Sequence, residues 1–186
     1  MKKFLAILII TALSISLYSC DKKQPVTEPV NENLQQQEEM AKKPEVSQVK
    51  LSLYSIDENM KEEITEIAVN SDVSVMDKLS TLAGELSKKY FNGNQIEITL
   101  NEETNSAVIN LKDIPDKEWH SFFQGSQGGH TSEYRIVKTF LQPDYTGEWI
   151  DFIEIWHNGE PAFEMYEHFC LYEKYERGNI GEYYSY

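Results

Sequence analysis

The chain has 186 residues, with 31 acidic side chains against 17 basic ones and a formal net charge of −14. That surplus of carboxylates leaves no broad basic face to neutralise phosphate, which argues against nucleic acid as a partner. Hydrophobic residues at 40% and aromatics at 12% are too many for an acidic chain that stays unfolded, and the length fits one domain plus appendages.

Lys2 and Lys3 precede an uncharged apolar run from Phe4 to Tyr18. Its 15 residues fall short of the ~20 that a spanning helix needs, so a removable export signal is expected over residues 1–19. The run ends in Leu17-Tyr18-Ser19-Cys20, which resembles the lipobox of bacterial lipoproteins. There a signal peptidase cuts before a cysteine that carries diacylglycerol. Leu17 and Ser19 match the pattern, while Tyr18 stands where a smaller residue is usual. The resemblance implies lipidation of Cys20 and a place on the cell membrane, lipid-anchored and facing outside the cytoplasm. An uncleaved anchor or an ordinary secretory signal is the competing reading.

The other cysteine, Cys170, then has no partner within the chain, so the exported domain must fold on its core without a disulfide. Glu164, Glu167 and Glu173 surround Cys170 with negative charge, which opposes a reactive thiolate, and a buried or incidental thiol is expected. Residues 20–48 comprise the lipidated Cys20 and a stretch rich in Gln, Glu, Lys, Pro and Asn that includes Pro25, Pro29 and Pro44. This stretch has too few apolar residues to offset its chain entropy and reads as a flexible tether.

Strand and helix periods begin at Val49. Val49, Leu51 and Leu53 alternate along a strand that runs to Ile56, and Glu63 to Asn70 forms a second strand. From Val73 to Tyr90 apolar residues recur every three and four positions. That spacing predicts a helix with Ser74 and Asp77 at its start and Asn92-Gly93 past its end. Ile96, Ile98 and Leu100, then Ala107, Ile109 and Leu111, form the inward faces of a hairpin. A short helix through Trp119 to Phe123 leads to the glycine cluster Gly125-Ser-Gln-Gly-Gly129, after which Thr131 caps a second long helix ended by Pro143. Trp149 to Trp156 reads as a strand that turns at Asn158-Gly159. The order predicts an α+β fold: a mainly antiparallel sheet with two longer helices packed on one face.

The strand Val49-Lys-Leu-Ser-Leu-Tyr54, the hairpin end Ala107 to Lys112, the cluster Phe122 to Gly129 and the turn Asn158-Gly159 together resemble the GerMN domain. That family occurs in bacterial sporulation and spore germination lipoproteins and in other envelope lipoproteins. The resemblance covers residues 49–161, in a single unit, and leaves 162–186 as an aromatic-rich C-terminal extension. It implies a GerMN-like envelope domain without established catalytic residues that acts by binding or assembly, with an envelope protein complex or a cell-wall component as partner. The alternative function is direct binding of a soluble ligand or cell-wall glycan.

The glycine cluster is the candidate contact site, with Gly125, Ser126, Gly128, Gly129 and Thr131 as the residues that would meet a ligand or partner. Successive glycines let backbone amides approach a ligand, and the positive end of a helix dipole favours an anion there. No phosphate-loop or dinucleotide fingerprint is present, and Gln124 stands where a nucleophile elbow needs its first glycine. The competing reading is a packing turn, with Gly128 or Gly129 at positive φ. Ser126, His130 and Asp144 or Asp151 can be written as a triad, but any chain of this length offers such triples. His120, His130, His157 and His168 lack the spacing of a zinc site, so no catalytic residue, metal or cofactor is expected. In the tail, Phe163, Tyr166, Phe169, Tyr172 and Tyr175 recur every three residues and wrap around a helix instead of forming one stripe. They either complete the core, with Tyr183, Tyr184 and Tyr186 fraying, or form a stacking platform.

Overall fold

The computed structural model describes residues 47–162, 166 and 169–184; the export signal, Cys20 and the tether expected before residue 47 lie outside them. Strands β1 (Gln48–Ile56) and β2 (Glu62–Asn70) form an antiparallel ribbon, followed by α1 (Val75–Tyr90) and the hairpin β3 (Gln95–Asn101) with β4 (Ser106–Lys112). A 3-10 helix (Trp119–Phe123) leads into α2 (Gly125–Leu141), then β5 (Phe152–His157) and the two-residue β6 (Glu160–Pro161). Strand β7 (Tyr175–Glu176), a second 3-10 turn (Arg177–Asn179) and the short α3 (Ile180–Tyr183) complete the fold.

The α+β class is as expected, and four of the five strand pairings are antiparallel. Two features differ from the single sheet that the pattern predicts. The strands fall into two sheets, the ribbon β1-β2 and the order β3-β4-β5-β6 with β7 paired to β5. The β4–β5 pair is parallel, Ser106 opposite Phe152 and Leu111 opposite His157, because α2 carries the chain across between them.

Local chemistry explains the elements. Ser74 caps α1 by accepting from Asp77 N at 3.1 Å, and its hydroxyl donates to Asp77 Oδ2 at 2.7 Å. The helix ends where Phe91 N and Gly93 N both reach Ser87 O, with Asn92 at φ 53° and Gly93 at φ 75°. In the hairpin, Ile96, Ile98 and Leu100 stand opposite Leu111, Ile109 and Ala107, so the two apolar faces coincide. Strand β5 begins at Phe152, later than its pattern predicts, because Trp149 is held outside the ladder by an indole N–H donated to Phe140 O at 2.7 Å. At Asn158-Gly159 both residues have positive φ, as a two-residue hairpin turn requires.

The ribbon is separated from the larger sheet by what covers its edge. Ser52 N donates to Gln142 Oε1 at 2.8 Å, Gln142 Nε2 donates to Ser52 O at 2.6 Å, and Tyr54 N donates to Thr139 Oγ1 at 3.1 Å. Side chains of α2 and its C-cap thus stand where another strand would pair. Gln142 holds this position in the left-handed conformation, φ 44°.

Gln142→Ala is expected to destabilise the protein by about 2–4 kcal/mol, because it leaves both backbone groups of Ser52 unpaired. Gln142→Gly should cost about 1 kcal/mol less than alanine, since glycine adopts the left-handed conformation freely. Urea unfolding midpoints of the two variants check both values.

Candidate functional site

The glycine cluster belongs to the helix. Structure and expectation part here: α2 starts at Gly125, so Thr131 lies within the helix and does not cap it. The N-cap is Gln124, whose side chain makes no capping hydrogen bond. Positive φ falls on Gly125 at 72°, and Gly128 and Gly129 have helical backbones. Gly129 is needed for a different reason. A Cβ there would stand 2.4 Å from Phe169 Cγ and 2.9 Å from Phe169 Cβ, so its missing side chain is the seat of an aromatic from the C-terminal tail. A Cβ at Gly128 would meet Phe122 O at 3.5 Å, an ordinary contact.

The first half of α2 borders two concavities. One, of about 680 Å³, is lined by Gly125, Ser126, Gly128 and Thr131 with Phe122 and Arg135. Arg135 is tied down there: its Nε donates to Ser55 Oγ at 2.9 Å, and its guanidinium lies 4.5 Å over the Tyr90 ring. Burial lowers its pKa. The other cavity, of about 430 Å³, opens between α2 and the tail and is lined by Ser126, His130, Glu133, Phe169, Tyr172 and Tyr183, with Cys170 exposed at its rim. Of the expected contacts, Gly125, Ser126, Gly128 and Thr131 thus meet in the first cavity, Ser126 also reaches the second, and Gly129 lies buried beneath Phe169.

Glu133 is the residue that sequence reasoning missed. It is 3% exposed, its Oε1 accepts from the Tyr175 hydroxyl at 2.6 Å, and its Oε2 lies 3.7 Å from His130 Nδ1. Burial pushes its pKa up to about 7, against the smaller opposing effect of the Tyr175 hydrogen bond. Tyr175 is pushed upward as well, first by burial and then by the adjacent carboxylate. Part of the signal was in the sequence: Glu133 falls on the stripe Gly129, Ser132, Ile136, Phe140 that faces the core.

The remaining candidates scatter. Asp144, one option for the triad, accepts from the Tyr54 hydroxyl at 2.9 Å beyond the C-terminal end of α2, far from His130. Asp151 has its backbone engaged by Asn105 and Arg177. His157 Nε2 meets Asp113 Oδ2 at 2.9 Å; burial alone would raise the pKa of Asp113, but hydrogen bonds from Trp119 N, Asn158 and His157 bring it below its ordinary value. His120 and His157 flank the Tyr166 ring, and His168 lies outside the described residues. In the tail, Tyr166 stacks on Phe123 at 4.2 Å, Tyr175 is fully buried, and Tyr183 and Tyr184 are partly buried; Tyr172 is exposed.

No family model matches this sequence, and no curated protein does. Among solved structures, the fold is similar to the tandem GerMN domains of the sporulation protein GerM from Bacillus subtilis, with a TM-score of 0.50 and 16% identity. The similarity covers 72% of this chain and 48% of that one, so this chain spans about half of the tandem. The fold is GerMN-like.

Two outcomes test the site. Gly129→Ala should destabilise by about 1–3 kcal/mol through overpacking against Phe169. Gly128→Ala should be neutral or stabilise by up to ~1 kcal/mol through helix propensity, and chemical denaturation separates the two. For Glu133 the folded pKa of about 7 lies above the ordinary 4.5, so the folded state holds the proton more tightly. Its stabilisation is complete below about pH 4.5 and is lost as pH rises through 7, a decline on the order of 3 kcal/mol. Glu133→Gln should remove that part of the decline in a series of melting temperatures from pH 5 to pH 8.

Proposed function

We propose that this protein is a membrane-tethered envelope lipoprotein whose GerMN-like domain is a non-catalytic binding or assembly module, acting in sporulation or germination. The observation that carries the reading is the fold, shared with tandem GerMN domains of a protein whose role is in sporulation. The lipobox-like Leu17 to Cys20 supports the anchor. A diacylglyceryl cysteine with two or three acyl chains, each methylene adding about 0.8 kcal/mol, would hold the protein on the membrane. In this reading residues 21–46 let the domain reach on the order of 30 Å from the bilayer to meet an envelope protein complex or a cell-wall component. Its contact face is the first half of α2.

Direct capture of a ligand is the second reading. It is favoured by the cavity of about 430 Å³, where the aromatic walls Phe169, Tyr172 and Tyr183 converge with the polar groups of Ser126, His130 and Glu133.

Replacing Cys20 with serine tests the anchor. Metabolic labelling with a fatty-acid analogue should mark the native protein and miss Cys20→Ser, which should also move from the membrane to the soluble exported fraction. Equal membrane retention of an unlabelled protein would overturn the lipid anchor in favour of an uncleaved apolar one.

A further inference from the structure

We infer that the cavity between α2 and the C-terminal tail is a binding site for a small organic ammonium ion, with Glu133 as its counter-charge and Phe169, Tyr172 and Tyr183 as its aromatic walls. The inference gives a ligand class to the binding reading above and rests on it, but it needs neither the lipid anchor nor a role in sporulation.

The cavity holds a carboxylate without a cationic partner among the described residues. Glu133 lines the cavity and is 3% exposed, yet the ion pairs of the described residues bring it no lysine or arginine. Its Oε1 takes the Tyr175 hydroxyl at 2.6 Å. Among the described residues its Oε2 has only His130 Nδ1 at 3.7 Å, beyond hydrogen-bond length. A buried carboxylate kept short of partners is costly unless a cation or a proton joins it.

The walls fit the same chemistry. Tyr172, Tyr175 and Tyr183 form a cluster of rings, with Tyr172–Tyr183 centroids 5.0 Å apart and Tyr175–Tyr183 centroids 5.3 Å apart. Phe169 also lines the cavity, edge-on to His130 at 5.2 Å. Ring faces attract ammonium groups through their quadrupoles, and more strongly where water is excluded. An anion would be repelled by Glu133, and a neutral sugar would leave its charge without compensation. About 430 Å³ is room for an alkylammonium or a choline-sized ion, and the net charge of −14 draws cations to the surface.

Coupling to protons follows. Because burial holds Glu133 near pKa 7, a cation must displace a proton at lower pH and meets the bare carboxylate at higher pH. Among the described residues, the titratable groups around Glu133 are His130 on α2, Tyr175 on β7, Cys170 and Tyr172 in the segment before β7, and Tyr183 on α3.

Isothermal titration of the full chain in detergent with n-butylammonium and with choline tests the site. Binding of either should be about tenfold tighter at pH 8 than at pH 6. Glu133→Gln should weaken it at least tenfold at pH 8 and abolish the pH step, whereas His130→Gln should keep that step. Tyr172 is 54% exposed and its removal spares the core, so Tyr172→Leu provides a folded variant in which affinity should fall several-fold. Absence of binding by both ions at pH 8, undiminished binding in Glu133→Gln, or equally tight binding of the neutral analogue n-pentanol would overturn the inference. Normal fatty-acid labelling of Cys20 alongside any of these results would leave the membrane reading standing and sink this one alone.

Discussion

The architecture depends on one amide side chain. Gln142 presents its oxygen to Ser52 N and its nitrogen to Ser52 O, so that a helix cap imitates one residue of a β-strand. A second donation, from Gln142 Nε2 to Thr139 O at 2.6 Å, holds the amide in the orientation the ladder needs. With Tyr54 N on Thr139 Oγ1 and the Tyr54 hydroxyl on Asp144, the edge of β1 at Ser52 and Tyr54 is closed by the C-terminal end of α2. A two-stranded ribbon alone is marginal in water, because it buries too little and leaves two edges open. Here the helix supplies both the missing edge partner and the apolar cover. Lys138 extends the joint by pairing with Glu62 of β2 while lying 4.8 Å over the Tyr54 ring.

The opposite half of α2 makes a second joint of a different kind. The C-terminal tail docks there by placing Phe169 over Gly129 and the Tyr175 hydroxyl on Glu133, so an absent side chain and a buried carboxylate fix the same segment. The first contact is steric and insensitive to pH; at the second, burial makes the Glu133 carboxylate costlier as it loses its proton, and the Tyr175 hydrogen bond offsets only part of that cost. Helix α2 therefore has a rigid end against the ribbon and a titratable face against the tail. The cavity lies on the titratable side.

Much of the fold was legible because its signals are local. Ser74 with Asp77, Asn92-Gly93 and Asn158-Gly159 each act through a few neighbouring atoms, and each stands where the sequence pattern places it. Paired apolar faces in the hairpin are equally local, since strand period and turn length together set the register. The start of α2 was not legible. Gly128 and Gly129 read as breakers by propensity, yet they are helical where Phe169, forty positions from Gly129, fills the space over it and Ser132 Oγ bonds Phe122 O at 2.6 Å. Glu133 was hidden because a carboxylate beside the apolar stripe of Ile136, Val137 and Phe140 reads as solvated, and its burial follows only once the tail is seen to dock over it. The parallel β4–β5 pair was hidden for a similar reason: pairing direction depends on where the long crossover returns, which no local period records.

The many carboxylates have a structural use that the sequence alone could not separate from catalysis. Since Ser52 and Tyr54 point their backbone groups at α2, their cross-strand neighbours Glu66 and Ile64 must point theirs away from β1, onto the outer edge of β2. That edge has no strand partner among the described residues, and Ile64 on it is 50% exposed. An open edge with an exposed isoleucine is a template for pairing with another chain. Glu62, Glu63 and Glu66 stand along this strand, and Lys50 crosses to Glu66 at 2.6 Å. In antiparallel self-pairing centred on Glu66, that carboxylate would meet its own copy, and the net charge of −14 would add to the repulsion. The acidic pairs of β2 therefore read as guards of an exposed edge, whereas Glu133, alone and buried on α2, stands outside that pattern.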